Sequence, residues 1–534
     1  MYLTPRTHRP LIMGRRGAVG SNHPLATQAG LDILREGGNA VDAAVAVSLA
    51  LGVVEPMMSG LGGDGFYNVF INGKRQVFNA TGPAPAAATA ERFAKGIEIT
   101  GPLSVSVPGC LAGLAAMHAA HGKLPWSRLV QPAIGFARDG FGVTHRHHDI
   151  TAENRPRLAA DPASGPTFLG AALDNRPIGD LVIQANLART LEEIAADGAE
   201  TFYRGPLAKR LAAGMAQRGC MITEADLAAI HAEPGEPIGI HYRGYEVTQT
   251  PPNSTGFTML QMLKIIERFD LAALSPAERI HVMVEAKKRA FLDRERHGAD
   301  PHFQEAPLAR LLSDAYADTL AAGIDLKRAT PMEQPMVAAA GDTTYFCMVD
   351  ADGNAVSGIQ SINSGYGSGV TAGDTGVLLN NRMAYWHLAA GHANRLVPGK
   401  RVRHTMNAPM VFNDGKLWAL LGTPGADNQV QVNTQVLTSM LDLGADPQTA
   451  VESPRWTSSQ PGQGANWPHD GDQQLTVESD FGPDLLAELA QRGHQLNRVG
   501  HLEGRCAAQA IRVLDNGVRM AGSDPRRDGW AGAW

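Results

Sequence analysis

The feature that most constrains this chain is a predicted β-hairpin within residues 341–381 that begins at two adjacent threonines. Residues 345–350 alternate between two faces, as expected for a strand with one face in a core. Asp352-Gly353 is a hairpin turn signal, and the return strand is predicted over 355–362. Thr343 therefore stands at the start of a predicted strand.

The segment before Thr343 has the composition of an exposed linker. Residues 327–342 contain two prolines, no apolar period and a run of small residues, which favours accessible, cleavable chain. A cut directly before Thr343 would place a hydroxyl and a free α-amine on one residue. The pKa of such an amine is about 7.7–8.0, so near neutral pH it can accept the hydroxyl proton, as in an N-terminal-nucleophile hydrolase. Threonine is also common at strand starts, so these residues alone leave a structural interpretation open.

Length, charge and cysteine content narrow the class of protein. With 534 residues, the chain has room for about two to four domain-sized units. The net charge of −6 predicts no basic surface for nucleic acid or for a membrane. The 59 glycines and 33 prolines favour a layered α/β fold over a helical array. Four scattered cysteines predict free thiols in a reducing compartment, and the apolar runs are too short for a signal or transmembrane segment, so a cytoplasmic location is expected.

Other candidate sites are weaker. Gly60, Gly62 and Gly65 match GxGxxG, but a predicted helix precedes them and a strand follows, which is the reverse of a dinucleotide site. A glycine turn that permits close backbone approach is the better interpretation. The histidines within 145–149 are adjacent on a predicted loop and have no partner at metal-ligand spacing. A Ser-His-Asp hydrolase would need a GxSxG elbow after a strand, and none is recognisable.

A set of motifs runs along nearly the whole chain in a fixed order. They are GGNAVDAAVAVSLALGVVEP, SGLGGDGF, GPLSVSVPG, LPWSRLVQPAI, FYRGPLA, PPNSTG, TTYFCMVDADGNAVS, LLNNRM, GTPGADNQ and the terminal DPRRDG. In sequence, order and spacing they resemble the γ-glutamyltranspeptidase (glutathione hydrolase) family of N-terminal-nucleophile hydrolases. This resemblance favours the catalytic interpretation of Thr343.

The resemblance implies a four-layer αββα sandwich that is made as one inactive precursor. Autocleavage between Asp342 and Thr343 would give a large chain, 1–342, and a small chain, 343–534, joined in one intertwined fold. The expected assembly is this heterodimer, possibly paired into a dimer of heterodimers. The family reaction implies no metal and no organic cofactor.

The resemblance also assigns catalytic roles. Thr343 matches the nucleophile of both maturation and turnover. Gly425 and Ala426 match the two residues whose backbone N–H groups stabilise the oxyanion. Ser361 matches a threonine that supports the nucleophile, and Asn363 matches a substrate-binding asparagine.

Residues that hold the glutamyl group depart from the family pattern. Thr81 stands where an arginine binds the α-carboxylate, and Thr405 and Met406 replace two serines. Arg382 and Tyr385 occupy the positions that bind the α-amine. Because Arg382 would repel an ammonium and can bind a carboxylate through two hydrogen bonds, these changes disfavour a zwitterionic γ-glutamyl group.

Three functions remain open. The first is transfer of a γ-glutamyl or related acyl group from a small amide to water or an amine, which would belong to glutathione metabolism. The second is hydrolysis of an acid-bearing amide without an α-amine, such as oxamate or a cephalosporin-type side chain. The third is a family member without catalytic activity.

Overall fold

The structure, a computed structural model, describes residues 7–331 and 342–534, with the side chain of Asp342 excepted. Most of the predicted linker at 327–342 lies outside these residues. Asp342 belongs to a strand, so the structure ends the linker one residue earlier than predicted. Every helix of the described residues is too short or too polar to span a lipid bilayer.

Nineteen strands are described. In chain order they are β1 (Ile12–Gly14), β2 (Ala18–Ser21), β3 (Asp64–Ile71), β4 (Lys74–Ala80), β5 (Phe141–Gly142), β6 (Leu181–Val182), β7 (Glu233–Gly235), β8 (Ile238–Tyr242), β9 (Tyr245–Gln249), β10 (Asp342–Val349), β11 (Ala355–Asn363), β12 (Met410–Asn413), β13 (Lys416–Gly422), β14 (Trp456–Ser459), β15 (Gln474–Glu478), β16 (Leu496–Val499), β17 (Gln509–Val513), β18 (Arg519–Ser523) and β19 (Trp530–Ala533).

Two large antiparallel sheets contain most of these strands. The first has the order β1-β18-β17-β13-β12-β9-β8, and the second has the order β19-β2-β10-β11-β3-β4-β7. Strands β14 to β16 form a three-stranded sheet, and β5 pairs with β6. Each large sheet therefore combines strands from before and after residue 342.

The α-helices pack on the outer faces of the two sheets. They are α1 (Pro24–Arg35), α2 (Ala40–Val54), α3 (Cys110–His121), α4 (Trp126–Asp139), α5 (His145–Ala160), α6 (Ser164–Phe168), α7 (Ala185–Asp197), α8 (Pro206–Arg218), α9 (Glu224–Ala228), α10 (Gly256–Ile266), α11 (Pro276–His297), α12 (Leu308–Leu311), α13 (Asp314–Ala322), α14 (Gln429–Leu441), α15 (Pro447–Glu452) and α16 (Pro483–Gln491). Short 3₁₀ helices include Pro102–Ser104, Arg382–Tyr385 and Ala426–Asn428.

Separate apolar cores define four layers. Helices α1–α8 share a core with the outer face of the second sheet, and α10, α11 and α13–α16 share one with the first sheet. Between the sheets, Phe66 and Tyr345 of one face Ile511 of the other. This arrangement confirms the predicted αββα sandwich.

The predicted hairpin at 345–362 is confirmed as β10 and β11. The strands pair in antiparallel register, with Thr344 opposite Gln360, and the register shifts between Asp342 and Thr344. Asp350 closes the turn, because its Oδ1 accepts the N–H groups of residues 352 and 354 at 3.0 Å.

Other local predictions succeed or fail for identifiable reasons. Gly37-Gly38 predicts a break between two helices with Asn39 or Asp42 as a cap, and the structure has α1 and α2 there, with Asn39 beginning α2 in a capping box. The segment GPLSVSVPG at 101–109 predicts a strand that leads into a turn, and this prediction is wrong, since residues 102–104 form a 3₁₀ helix. The loop predicted at 145–149 is also wrong. Thr144 caps a helix that begins there, and His147 of this helix is buried. The four cysteines are free, as predicted, and Cys220 alone among them is only half-buried.

Candidate active site

The hydroxyl of Thr343 lies beside that of Ser361 in the interior. Thr343 is the second residue of β10 and is 2% exposed. Its hydroxyl donates a hydrogen bond to Ser361 Oγ over 3.2 Å. Ser361 Oγ also accepts the N–H of Asn363 at 2.8 Å. The structure therefore brings the predicted nucleophile into contact with its predicted supporting residue.

A third polar residue continues this row into the next strand. Ser361 of β11 is paired with Asp64, the first residue of β3. Directly paired residues of antiparallel strands share a face of the sheet, and neighbouring strands are about 4.8 Å apart. Thr343, Ser361 and Asp64 thus lie in one row on the face that looks toward the other sheet, at the end of the inter-sheet core.

Thr344 points to the opposite face of β10. Its hydroxyl donates to Glu55 Oε2 at 2.6 Å, where α2 ends. The two adjacent threonines therefore differ in environment, because one faces the space between the sheets and the other faces the helical layer.

Asn363, the last residue of β11, has an unusual backbone conformation. Its φ of +82° is uncommon for a residue other than glycine, and such residues are frequent at functional sites. Its side-chain amide donates to Asn381 O at 3.1 Å and to Asn466 Oδ1 at 2.9 Å. Its Oδ1 is buried and has no hydrogen-bond partner among the described residues. This acceptor is available to a bound amide.

The predicted oxyanion turn follows strand β13 at the same end of the sheets. Gly422, the last residue of β13, packs directly against the ring of Tyr345, two residues after Thr343. Gly425 has a φ of +121°, and a Cβ there would overlap Cys506 Sγ, so only glycine fits. Ala426 adopts the left-handed region with a φ of +49° and begins the 3₁₀ turn that leads into α14. No hydrogen bond joins the N–H of Gly425 or Ala426 to a described residue.

A buried arginine from the part of the chain before residue 342 contacts this turn. Arg294 of α11 is 1% exposed and pairs with Asp427, the residue after Ala426. It also donates to Gln463 O at 2.7 Å and to Glu295 Oε1 at 2.9 Å. The turn also lines a polar cleft of about 750 Å³ together with Lys287 and Phe291. This cleft gives solvent and small molecules a route to the turn.

The 3₁₀ helix Arg382–Tyr385 places Arg382 in the interior, next to Asp64. Arg382 is 1% exposed, and its Nε lies 3.5 Å from Asp64 Oδ2, an ion pair beyond hydrogen-bond distance. The guanidinium also lies over the ring of Tyr385, 4.6 Å from its centroid. Its Nε and Nη2 have no hydrogen-bond partner among the described residues. Arg382 therefore does not point out to solvent.

Two of the other predicted recognition residues join this group. The hydroxyls of Tyr385 and Thr405 lie 3.2 Å apart. Burial raises the pKa of Tyr385 above its usual value, so its hydroxyl stays protonated. Arg382, Tyr385 and Thr405 are thus brought together as the sequence predicted.

Thr81 and Met406 have other surroundings. The Thr81 hydroxyl donates to Asn79 Oδ1 at 2.7 Å and accepts from Asn253 Nδ2 at 3.2 Å. The Met406 side chain lies in the apolar core between the sheets. Neither side chain therefore directs a free polar group at Arg382.

Sequence reasoning missed Asp64 and His404, which complete the charged group. Asp64 Oδ1 accepts the N–H of Gly82 at 2.8 Å, while Oδ2 lies 3.8 Å from His404 Nε2. Burial raises the pKa of Asp64 to about 6, although Arg382 opposes that shift. An aspartate inside the glycine-rich run SGLGGDGF, directly before an apolar strand, was the available signal.

One other cluster of the described residues has the spacing of a metal site. Single ligand atoms of Glu295, His387 and His392 lie within 4.8 Å of one another. However, Glu295 is already engaged by Arg294 and by Arg403, whose Nη1 lies 2.8 Å from Oε2. His392 Nδ1 accepts the N–H of residue 394 at 3.0 Å, which places the proton of a neutral ring on Nε2. These contacts fit an ion-pair cluster better than a metal site.

The glycine turn at 60–65 holds the parts of the site together. A Cβ at Gly62 would overlap Leu378 O, and one at Gly63 would overlap Ser361 O. Asn380 donates to Gly62 O at 2.8 Å, and its Oδ1 accepts the N–H of Arg382 at 2.9 Å. The predicted close backbone approach is confirmed.

The αββα layers place the chain in the class of N-terminal-nucleophile hydrolases. A family model described as gamma-glutamyltranspeptidase matches residues 26–534. The glutathione hydrolase-like YwrD proenzyme of Bacillus subtilis (strain 168) is 39% identical over 97% of this chain and 99% of its own length. The oxamate amidohydrolase proenzyme of Klebsiella pneumoniae is 36% identical over 97% of this chain and 98% of its own.

A solved structure agrees with these sequence matches. The crystal structure of cephalosporin acylase from Bacillus halodurans superimposes with a TM-score of 0.91 at 34% identity, covering 100% of this chain and 98% of that one. The chain belongs to the gamma-glutamyltranspeptidase family of enzymes.

Proposed function

We propose that this chain is an autoprocessing amidohydrolase or acyltransferase with Thr343 as its nucleophile. The observation that carries the proposal is the buried hydrogen bond from Thr343 to Ser361 at the start of β10, a strand that contacts the end of β13, from which the predicted oxyanion turn continues. Its relatives from Bacillus subtilis and Klebsiella pneumoniae are named as proenzymes, which supports a processed chain.

In maturation, Thr343 Oγ attacks the carbonyl carbon of Asp342. The peptide bond to the Thr343 nitrogen breaks, and an ester between residues 342 and 343 forms. Water then hydrolyses this ester and leaves chains 1–342 and 343–534. The new α-amine of Thr343 becomes the base for turnover.

In turnover, the α-amine accepts the hydroxyl proton while Oγ attacks the substrate amide. The N–H groups of Gly425 and Ala426 stabilise the oxyanion, and Asn363 Oδ1 accepts an N–H of the bound amide. Collapse of the tetrahedral intermediate expels the amine and leaves an acyl ester on Thr343. Water or an acceptor amine then releases the acyl group.

For the acyl group, we favour an acid-bearing amide that has no α-amine. Arg382 is buried at this end of the sheets, and two of its nitrogens have no partner among the described residues. Guanidinium binds carboxylate well and repels ammonium. Oxamate meets this requirement, and so does a cephalosporin side chain that ends in a carboxylate and has no α-amine; both agree with two of the relatives' names.

A γ-glutamyl amide is the second candidate, because Asp64 lies beside Arg382. The α-carboxylate would pair with Arg382 and the α-amine with Asp64, which restores a zwitterion site with different residues. This arrangement requires Asp64 to stay ionised in the complex.

A denaturing gel of the purified protein tests the nucleophile. We expect two bands for the wild type and for Thr344→Ala, because that threonine faces Glu55 on the other side of β10. Thr343→Ala should give a single band, and mass spectrometry should place the N-terminus of the small wild-type chain at Thr343. A wild type that stays uncut would contradict the proposal.

A panel of oxamate, a cephalosporin-type acyl amide and γ-glutamyl-p-nitroanilide tests the acyl group. We expect the acid amides to have the higher kcat/KM. Efficient γ-glutamyl hydrolysis with no oxamate turnover would establish the second candidate instead.

A further inference from the structure

The group of Asp64, Arg382 and His404 is buried and incompletely paired. Each residue is at most 1% exposed. Five of their polar atoms have no hydrogen-bond partner among the described residues: Asp64 Oδ2, Arg382 Nε and Nη2, and both ring nitrogens of His404. Most buried polar groups in native proteins are paired, so such a concentration is typical of a site that binds something polar.

The position of this group relates it to the nucleophile. Asp64 lies in the same row and on the same sheet face as Thr343 and Ser361, two strands from Thr343. An acyl group bound to Thr343 that extends along this row would run toward Asp64 and Arg382.

We propose that Asp64 is the counter-charge of Arg382 in the empty site, and that a substrate carboxylate replaces it there while Asp64 takes up one proton from solvent. This inference rests on the proposed amidohydrolase function and specifies how its acid substrate is recognised. Two carboxylates cannot both remain ionised at one buried guanidinium without strong repulsion. Binding of the acid is therefore coupled to protonation of Asp64.

The groups around Asp64 leave its own carboxyl as the one that titrates. Two arginines, Arg382 and Arg401, face Asp64, and guanidinium groups are not deprotonated in proteins. Burial and both arginines lower the pKa of His404, so its ring is neutral. On the helical side, Cys110 and Tyr203 are neutral, because burial raises the pKa of Cys110 to about 12 and that of Tyr203 well above its usual value.

The sign of the pH dependence follows from this coupling. With its pKa near 6 in the empty site, Asp64 is ionised at neutral pH and must gain a proton when the acid binds. The preference for an acid should then fall as pH rises above about 6 and level off below it. A γ-glutamyl substrate held by ionised Asp64 would show the reverse, with weaker binding at low pH.

The test compares kcat/KM for oxamate and for oxamide, a neutral amide of similar size. Because the Thr343 amine acts on both substrates, its titration cancels in their ratio. The ratio should fall by about tenfold per pH unit between about pH 6 and about pH 8 if one proton is taken up. A ratio that does not change with pH overturns the proposal.

Variants separate the roles of the two charges. In Asp64→Asn, we expect the oxamate preference to become independent of pH, with the two bands of the processed protein retained. In Arg382→Gln, the preference itself should be lost. Asp350→Asn is the matched control, since it removes a buried carboxyl of raised pKa at the far end of the hairpin and should keep the wild-type profile.

Calorimetry gives a readout that needs no turnover. Oxalate, an acid without a scissile amide, should bind the processed wild type at neutral pH with uptake of about one proton, measured in buffers of different ionisation enthalpy. Absent oxalate binding, or binding without proton uptake, overturns the proposal. Loss of processing or of all amide turnover, with oxalate binding intact, would instead contradict the proposed function alone.

Discussion

The hydroxyl pair at Thr343 and the charged group at Arg382 lie at one end of the sheets, yet their polar atoms are satisfied differently. Thr343 and Ser361 are neutral and joined by a hydrogen bond, and Ser361 also receives the N–H of Asn363. Arg382 and Asp64 are charged, and they approach without a hydrogen bond. In our proposal, the reacting groups are thus held in place before substrate arrives, whereas the recognition group is completed by the substrate.

The largest effect on activity is expected for the hydroxyl pair of Thr343 and Ser361. Thr343→Ala removes the proposed nucleophile, and we expect hydrolysis to fall by about 10⁴-fold or more, measured as initial rate on oxamate. Thr343→Ser keeps the hydroxyl and is the control, with both cleavage and turnover retained. A Thr343→Ala protein that still turns over would show that the hydroxyl pair is structural.

The next effect concerns the oxyanion turn. Gly425→Ala adds a Cβ where Cys506 Sγ lies and where φ is +121°, so the N–H groups of the turn should move. We expect kcat to fall by about 10²–10³-fold, or about 2.7–4 kcal/mol of transition-state stabilisation. Gly444→Ala also has a positive φ but open space around it, and it should leave kcat nearly unchanged. Equal losses in both variants would point to general backbone strain.

For the charged group at Arg382, the expected effect on activity is smaller and is confined to substrates that carry a carboxylate. Arg382→Gln removes charge-assisted hydrogen bonds of about 1.5–3 kcal/mol, so KM for oxamate should rise by about 10–100-fold. Oxamide, which lacks the carboxylate, serves as the matched substrate and should change little. An equal loss on both amides would mean that Arg382 supports the fold rather than recognition.

The smallest effect is expected at Tyr385. Tyr385→Phe removes the hydroxyl contact with Thr405 and should cost about 0.5–1.5 kcal/mol, or about 2–10-fold in KM for oxamate. Tyr366→Phe is the control, because it removes a similar contact with Thr151 that involves none of the site residues named here. A change in KM for Tyr366→Phe alone would contradict the assignment of Tyr385.

Local patterns in the sequence predicted the elements whose partners lie close along the chain. The alternation at 345–350 and the turn Asp352-Gly353 were enough for the β10–β11 hairpin, and Gly37-Gly38 with Asn39 was enough for two helices. The polar run at 145–149 predicts a loop, but the structure has a helix there that packs His147 against distant Tyr366. That contact joins residues far apart in the sequence, so no local pattern reveals it.

The candidate site was predictable to the extent that single residues match family positions. Thr343, Ser361 and Gly425 could be named in this way, and so could Arg382. Asp64 could not, because its role depends on Arg382 and His404, which are more than three hundred residues away in the sequence. Its carboxyl acquires a pKa near 6 only when those segments exclude water around it.

The order of strands in the second sheet has a consequence for when, during folding, the chain can cleave itself. Thr343 and Ser361 meet within the β10–β11 hairpin, but Asp64 of β3 and the turn after β13 reach them only after distant parts of the chain have paired. An unfolded or misregistered chain therefore lacks the geometry for self-cleavage. In our proposal, the appearance of the small chain shows that the sheet has formed correctly. A destabilised variant should therefore accumulate uncut precursor before it loses any turnover per processed molecule.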